Sequence, residues 1–479
     1  MSYIIPNIET PEKNSKSAYG ELLTANRNHI AQITATYGIL DDTFTATLGG
    51  STTTNTGNFE ASTGATSTGI SSIATDAIVS YRAGQGLGCM ISSVFDTPQA
   101  QSTQIAGFTS SDSLIGFGYN GTDFGIGVGK NGKLEIQRLD ITASATTTEN
   151  ATVVIDDVSY TIPLTAGDVS HTAWEIATYL QSNNLFYNFS SNANSVYCAA
   201  KLPTQGAGVF SFTSATATGV FTEIQSGTPA VETWVNQADW NVKPDIQINP
   251  QMGNVYMIQF SYLGYGDTLF YVYDPSTSKF ELVHIDKYIN TATTPKVERP
   301  AFRCGWAVRN SGNTTNLTIK GASATIFIEG AVSYDATAKA DYSQPLIDTT
   351  EKTVICFRNK LVFNSLVNRI NATLKNISLS TESSKIAVFK LYENPVFSAD
   401  PQFVDHSANS TMEIAKSQVD VISGGVLACL SVTKESPLNI DASEFVKILK
   451  PNKTYAITAY LTSGTSSIST VSISWLEDF

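Results

Sequence analysis

The densest alternation of apolar and polar positions starts at Ile70 and has period two, the period of strands. "AIVSYRAGQGLGCMISSVF" alternates across its glycines, and "SLIGFGYNGTDFGIGVGKNGKLEIQRLDI" follows with turn signals at Asn120-Gly121 and Asn131-Gly132. Asn and Gly adopt φ > 0 at low cost, so each pair predicts a tight hairpin. Strand patterns resume at "NVYMIQFSYLGYG", "TLFYVYDPSTSKFELVHI", "FRCGWAVRN" and "TNLTIKGASATIFIEG", with a polar turn at Asp274-Pro275. Upstream, "HIAQITATYGI" and "FTATLGG" read as strands, and Gly49 to Gly69 as irregular connection. Short strands at this spacing predict a mainly β chain, with a jelly-roll or lectin-like β-sandwich built from residues 21–142 plus 229–333.

Between those halves the pattern changes. Residues 143–228 predict an inserted α+β domain. It starts with a hairpin turning at Asp156-Asp157 in "ATVVIDDVSYTIPL" and ends with strands "SVYCAAK" and "GVFSFTS". "GDVSHTAWEIATYLQSNN" is a helix, with Ser170 placed to cap its start and Trp174, Ala177 and Leu180 sharing a face. Residues 334–352 are polar, contain Pro345, and read as a linker. Residues 353–479 carry strands from "TVICF" to "TVSISWLEDF", which predict a second, C-terminal β-sandwich. The polar segment 1–20 lacks periodicity and reads as an N-terminal arm.

Composition narrows the function classes. The chain has 479 residues, 42% hydrophobic and 15% charged, so it can bury more than one core. Its 29 basic and 42 acidic side chains leave −13, a poor basis for neutralising phosphates, so no nucleic-acid partner is expected. No apolar run is long enough to span a bilayer, and no secretory pattern opens the sequence, so no membrane insertion is expected. The scattered Cys89, Cys198, Cys304, Cys356 and Cys429 form no CxxC pair and read as small buried hydrophobes.

Catalytic and cofactor motifs are missing from the sequence. Gly84, Gly86 and Gly88 match only the start of a dinucleotide fingerprint, and a strand pattern follows them instead of a helix. They read as sites of bulging or close backbone approach. His29, His171, His284 and His406 lie in separate segments without a metal-ligand spacing or nucleophile elbow. Asp41-Asp42 and Asp156-Asp157 are adjacent pairs, and adjacent residues of a strand face opposite ways, so neither pair converges on one bond. Trp234, Trp240, Tyr262, Tyr265 and Tyr271 are close enough in sequence for a sugar-stacking platform, although alternating aromatics usually fill a core. No catalytic, cofactor-binding or metal residues are assigned, and no cofactor is expected.

The blocks "YRAGQG", "SVF", "STQIAGF" and "FGYNGTDFGI" resemble a recurrent block, Y-R-x-G-Q-G followed by F-G-Y-x-G-x-x-F-G, in uncharacterised virion structural proteins of large DNA viruses and tailed phages. Downstream, "ADWN", "NPQMGNVYMIQFSYLGYG" and "GASATIFIEG" resemble the second half of that domain. "LVFNSLVNR" and "SWLEDF" resemble its C-terminal β partner, which ends in W-x-E-D. The hairpin "VVIDDVSYTIPLTAGD" is similar to a small unit of phage tail and capsid accessory proteins. Where the family often has proline, this chain has Ala83. The resemblance marks Tyr81, Arg82, Gly84, Gln85, Gly86, Asn120 and Gly121 as the structural motif.

That resemblance implies a non-enzymatic structural protein of a virus particle: a minor capsid, spike, fibre or tail-associated subunit, assembled in the host cytoplasm. Implied partners are other virion proteins and further copies of the chain, with a homotrimer as the expected oligomer and the arm as its anchor. Attachment to a host-surface glycan is a further expectation. The alternatives are a carbohydrate-binding receptor-recognition module and, behind it, a polysaccharide-degrading enzyme, which needs two acids about 5–10 Å apart in a cleft.

Overall fold

The computed structural model describes residues 27–110, 113–202, 208–261, 263–330, 337–442 and 448–478. The arm expected at 1–20, together with Tyr262, lies outside the described residues. Contacts divide the chain into two units, 1–133 with 229–333 and 134–228 with 334–479. Among the described residues all pairings between the named strands are antiparallel, one α-helix is present, and the chain is mainly β.

The first unit is a sandwich of two sheets. One has the order Arg27–Thr34, Ser323–Glu329, Leu87–Ser93, Asn254–Phe260, Thr268–Asp274, Lys279–Asp286. The other runs Val231–Asn236, Asp123–Lys130, Leu114–Asn120, Ser102–Thr109, Ala301–Asn310, Ile70–Thr75, Thr43–Leu48, with Val79–Ser80 also paired to Ala301–Asn310. Strands from both sides of the insertion therefore interleave in each sheet. The period-two pattern explains the packing: Tyr256, Ile258 and Phe260 point into the space between sheets, where Phe108, Phe117 and Trp306 come from the opposite side. Phe117 stacks on Tyr256 at 4.6 Å between centroids and meets Phe270 edge-on at 5.6 Å.

The hairpin expected at Asn120-Gly121 forms with a shifted turn. Asn120 pairs with Asp123, so Gly121 and Thr122 make the turn, with φ +63° at Gly121. Asn131-Gly132 closes no hairpin: Asn131 has φ +63°, but Ile136–Ala143 joins a sheet of the other unit. The stretch Gly49 to Gly69 is not irregular either. Ser51–Asn55 and Asn58–Ser62 form a hairpin through Thr56 and Gly57, and Asn58–Ser62 also pairs with Thr318–Gly321. Its small polar residues hid a half-buried alternation in which Phe59 and Ala61 enter the core.

In the second unit the insertion starts earlier than 143. Ile136–Ala143 lies between Ser195–Ala200 and Thr218–Gln225 in a four-stranded sheet with Tyr187–Asn192 at its edge. A three-stranded sheet holds Val158–Leu164, Glu149–Ile155 and Phe210–Thr213, and its hairpin turns at Asp156-Asp157 with φ +49° and +66°. The helix Val169–Asn183 buries Ala173, Ile176, Ala177 and Leu180 in the core of these sheets. Its cap is Asp168, whose carboxylate accepts the His171 N–H at 2.8 Å. Ser170 lies one residue inside the helix and donates to Asp400 instead.

Residues 337–347, read as linker, are structural. Thr337–Ser343 and Leu346–Ile347 both pair with Ser467–Glu477 at the edge of a five-stranded sheet. Ala340 and Tyr342 face outward there while Lys339, Asp341 and Ser343 take the more buried positions, which reverses the usual alternation and gave the stretch its polar look. That sheet continues through Ala372–Thr381 to Leu438–Asp441. Opposite it stand Val404–Asp405, Met412–Ala415, Lys352–Asn359, Thr454–Leu461, Ala387–Phe397 and Val421–Val432. Leu374, Ile377, Ile473 and Trp475 pack against Phe357, Phe389, Leu391 and Ile457 between the two. Trp174 is not in the core of its own helix. It packs on Cys356, Phe397 and Phe403 of this C-terminal sandwich. Four cysteines are buried as expected, whereas Cys429 is exposed on the edge strand Val421–Val432.

Candidate functional site

Tyr81, Arg82, Gly84, Gln85 and Gly86 form the connection from Val79–Ser80 into Leu87–Ser93. The Gln85 N–H donates to the Arg82 carbonyl at 3.1 Å, closing a turn with φ +83° at Gly84. Tyr81 holds that turn: its phenol oxygen accepts the N–H groups of Gly84 and Leu263, each at 3.3 Å. The Tyr81 ring meets Phe260 edge-on, and its own N–H donates to Pro300 at 2.7 Å. A phosphate cradle needs free backbone N–H groups converging on one point. Here the Gly84 and Gln85 groups are already bonded within the protein, and the Gly86 carbonyl accepts the Glu329 N–H at 2.9 Å. Asn120 and Gly121 cap the neighbouring hairpin, where the Gly121 N–H donates to Ser102 at 2.8 Å.

The other residues considered from sequence do not gather. Trp240 and Tyr271 are buried, Trp234 covers Gly127 with its ring, and Tyr265 is exposed, its hydroxyl donating to the Thr293 carbonyl at 3.0 Å. His284 is buried beside Phe270, His29 lies against Phe327, His171 bonds within its helix region, and His406 meets Trp475 edge-on. Asp41 and Asp42 are in a surface turn. Asp156 converges with a residue the sequence did not suggest: the Tyr187 hydroxyl lies 2.9 Å from both Asp156 Oδ2 and the fully buried Glu135 Oε2. Burial, then the two carboxylates, push the Tyr187 phenol far above its ordinary range.

A polar cleft within the second unit brings together side chains from both its halves. On the insertion, Arg138 and Tyr197 are cross-strand partners, and Asn192 ends the edge strand Tyr187–Asn192. On the C-terminal sandwich, Arg358, Glu413 and Asp405 are successive neighbours across three strands, which puts them side by side on one face. Lys360 follows Arg358 at the strand end, and the hairpin Val362–Phe363 with Leu366–Val367 turns through Asn364 and Ser365 at φ +49° and +61°. The cleft is open to solvent and has a volume of about 200 Å³.

Ion pairs frame this cleft. Arg358 Nε donates to Glu413 Oε2 at 2.7 Å, Nη2 reaches the Ser191 carbonyl at 2.6 Å, and the guanidinium lies 4.1 Å over the Phe403 ring. The Ser191 carbonyl sits on the edge strand, so Arg358 satisfies an acceptor that no neighbouring strand reaches. Asn192 Nδ2 donates to both Asp405 Oδ1 at 2.8 Å and Glu413 Oε1 at 2.7 Å. Arg138 is held by Asp140 at 2.9 Å, and Lys360 Nζ lies 3.1 Å from Asp405 Oδ1. Sequence gave partial warning, since R-x-D places Arg138 and Asp140 on one strand face. The pairing of Arg358 with Glu413, 55 residues on, carries no local signal.

No known protein family matches the chain, and no curated protein does. Among solved structures, the chain was compared with the 2.6 Å structure of T=1 particles derived from infectious bursal virus. Identity is 9% over 82% of this chain and 78% of the other, with a TM-score of 0.12. A mutant VP2 protein of infectious bursal disease virus, also as derived T=1 particles, gives 10% identity over 84% and 79%, with a TM-score of 0.11. Overlap at this level carries no argument about fold or role.

Proposed function

We propose that the chain is a structural subunit on the exterior of a virus particle, working through assembly into a homo-oligomer and through contact with other virion proteins. One observation carries this reading: the blocks that resemble the virion family, spread from Tyr81 to Gly330, are assembled as neighbours in one sandwich. "YRAGQG" leads into Leu87–Ser93, which pairs on one side with Asn254–Phe260 and on the other with Ser323–Glu329. "STQIAGF" and "FGYNGTDFGI" are consecutive strands of the facing sheet. Local motifs shared by chance need not meet in space.

On this reading the chain is a minor capsid, spike, fibre or tail-associated component, a trimer, and performs no catalysis. Mass photometry of the purified chain, with mass spectrometry of gradient-purified particles, tests the proposal. Oligomers at micromolar concentration and presence in particles are expected; a monomer absent from particles overturns it.

A further inference from the structure

We propose that the cleft between Arg138 and Asp405 binds a neutral sugar residue. The pointer is Lys360. Its side chain is only 7% exposed, and its Nζ pairs with Asp405 Oδ1 at 3.1 Å and lies 5.7 Å from the centre of the Phe363 ring. An ammonium carries three donors, and the single Asp405 oxygen beside it does not use them all. The cleft that Lys360 lines is the space in which a ligand hydroxyl would meet the remaining donors.

Charge selects the class of ligand. Arg138, Arg358 and Lys360 are matched by Asp140, Glu413 and Asp405, so an anion entering the cleft meets no unpaired cation. A cation is equally ill served, and among the described residues no group of metal-ligating side chains assembles. What is offered is mixed: donors from Lys360 and Arg138, an acceptor in Asp405 Oδ2 that takes no hydrogen bond from the described residues, and ring surface from Tyr197 and Phe363. A pyranose presents hydroxyls that both donate and accept beside apolar C–H faces. The open cleft, about 200 Å³ in volume, suits one such ring with the rest of a chain outside.

The role of this site in host attachment rests on the virion reading; sugar binding itself rests on the cleft alone. The test is an array of neutral, sialylated and sulfated glycans probed with the purified full chain, followed by titration calorimetry with the neutral glycans retained. Two variants accompany it. Asp405→Asn removes the open carboxylate, and Ala408→Trp fills the cleft from an exposed position without deleting a buried contact. Expected are retention of neutral glycans and a loss of about tenfold or more in affinity for both variants, the scale of one charged hydrogen bond. Should Asp405→Asn lower the melting temperature, Ala408→Trp decides alone. No retention by the wild type, preference for anionic glycans only, or unchanged binding by Ala408→Trp overturns the proposal. Particle incorporation, measured separately, is unaffected by any of these outcomes.

Discussion

The Phe327 ring occupies the space that a side chain at Gly88 would need: a Cβ on Gly88 would lie 2.1 Å from the ring. The two strands are paired with Phe327 directly opposite Gly88, so the ring covers the exposed backbone of its neighbour. Gly88→Val is expected to destabilise the first unit by about 2 kcal/mol or more, because the ring cannot be displaced without repacking. Gly84→Ala, where nothing lies within 4 Å, carries only the left-handed backbone penalty of about 1 kcal/mol. Urea midpoints of the two variants check this order; equal costs contradict it.

Arg358 and Glu413 are 9% and 5% exposed, and each is the other's main partner. Glu413→Ala leaves a buried guanidinium without its carboxylate and is expected to cost about 3–5 kcal/mol. Replacing both by apolar residues of similar volume is expected to cost much less. A double-mutant cycle by chemical denaturation makes the comparison, and additive losses would show that the pair is not coupled.

Trp174 joins the helix to the C-terminal sandwich. Trp174→Ala is expected to lower the stability of the second unit by about 2 kcal/mol, less than for a fully buried tryptophan. The insertion core, built from Ala173, Ile176 and Leu180, keeps its packing. Denaturation should then broaden or split, with the helical far-ultraviolet signal outlasting the C-terminal sandwich. A sharp transition at the wild-type midpoint would mean the contact contributes nothing.

Asp274 links acid to stability. The Ser276 hydroxyl at 2.6 Å, Lys243 at 3.0 Å and the Ser276 N–H at 2.8 Å hold its carboxyl down at about 2. Its unfolded value is about 3.9, so the folded state gains stability from this group above about pH 4 and loses it as pH falls through about 2. Asp274→Asn should therefore lower the melting temperature at neutral pH, with a gap to wild type that closes in strong acid. A gap independent of pH would show that the carboxylate charge is not involved.

The mainly β class was legible because period-two alternation survives wherever one face is buried, as in Tyr256, Ile258 and Phe260. Legibility failed where the polar face dominates composition. The Ser51–Ser62 hairpin and the edge strand Thr337–Ser343 are mostly Thr, Ser, Asn, Ala and charged residues, with few apolar positions to mark a buried face, so they read as connection. The start of the insertion was hidden because Ile136–Ala143 is as alternating as the sandwich strands before it. Which sheet a strand joins depends on partners far away in sequence. The same holds for the cleft: Arg138, Lys360 and Asp405 carry no shared motif, and only pairing across the sheets makes them neighbours.

The central claim is that this chain is built into virus particles as an exterior oligomer. Quantitative mass spectrometry of gradient-purified particles, with antibody labelling of intact particles by electron microscopy, tests it most directly. The account predicts the chain in fixed multiple copies per particle and labelled from outside without disruption. Its absence from purified particles, with a monomer in solution, would contradict it.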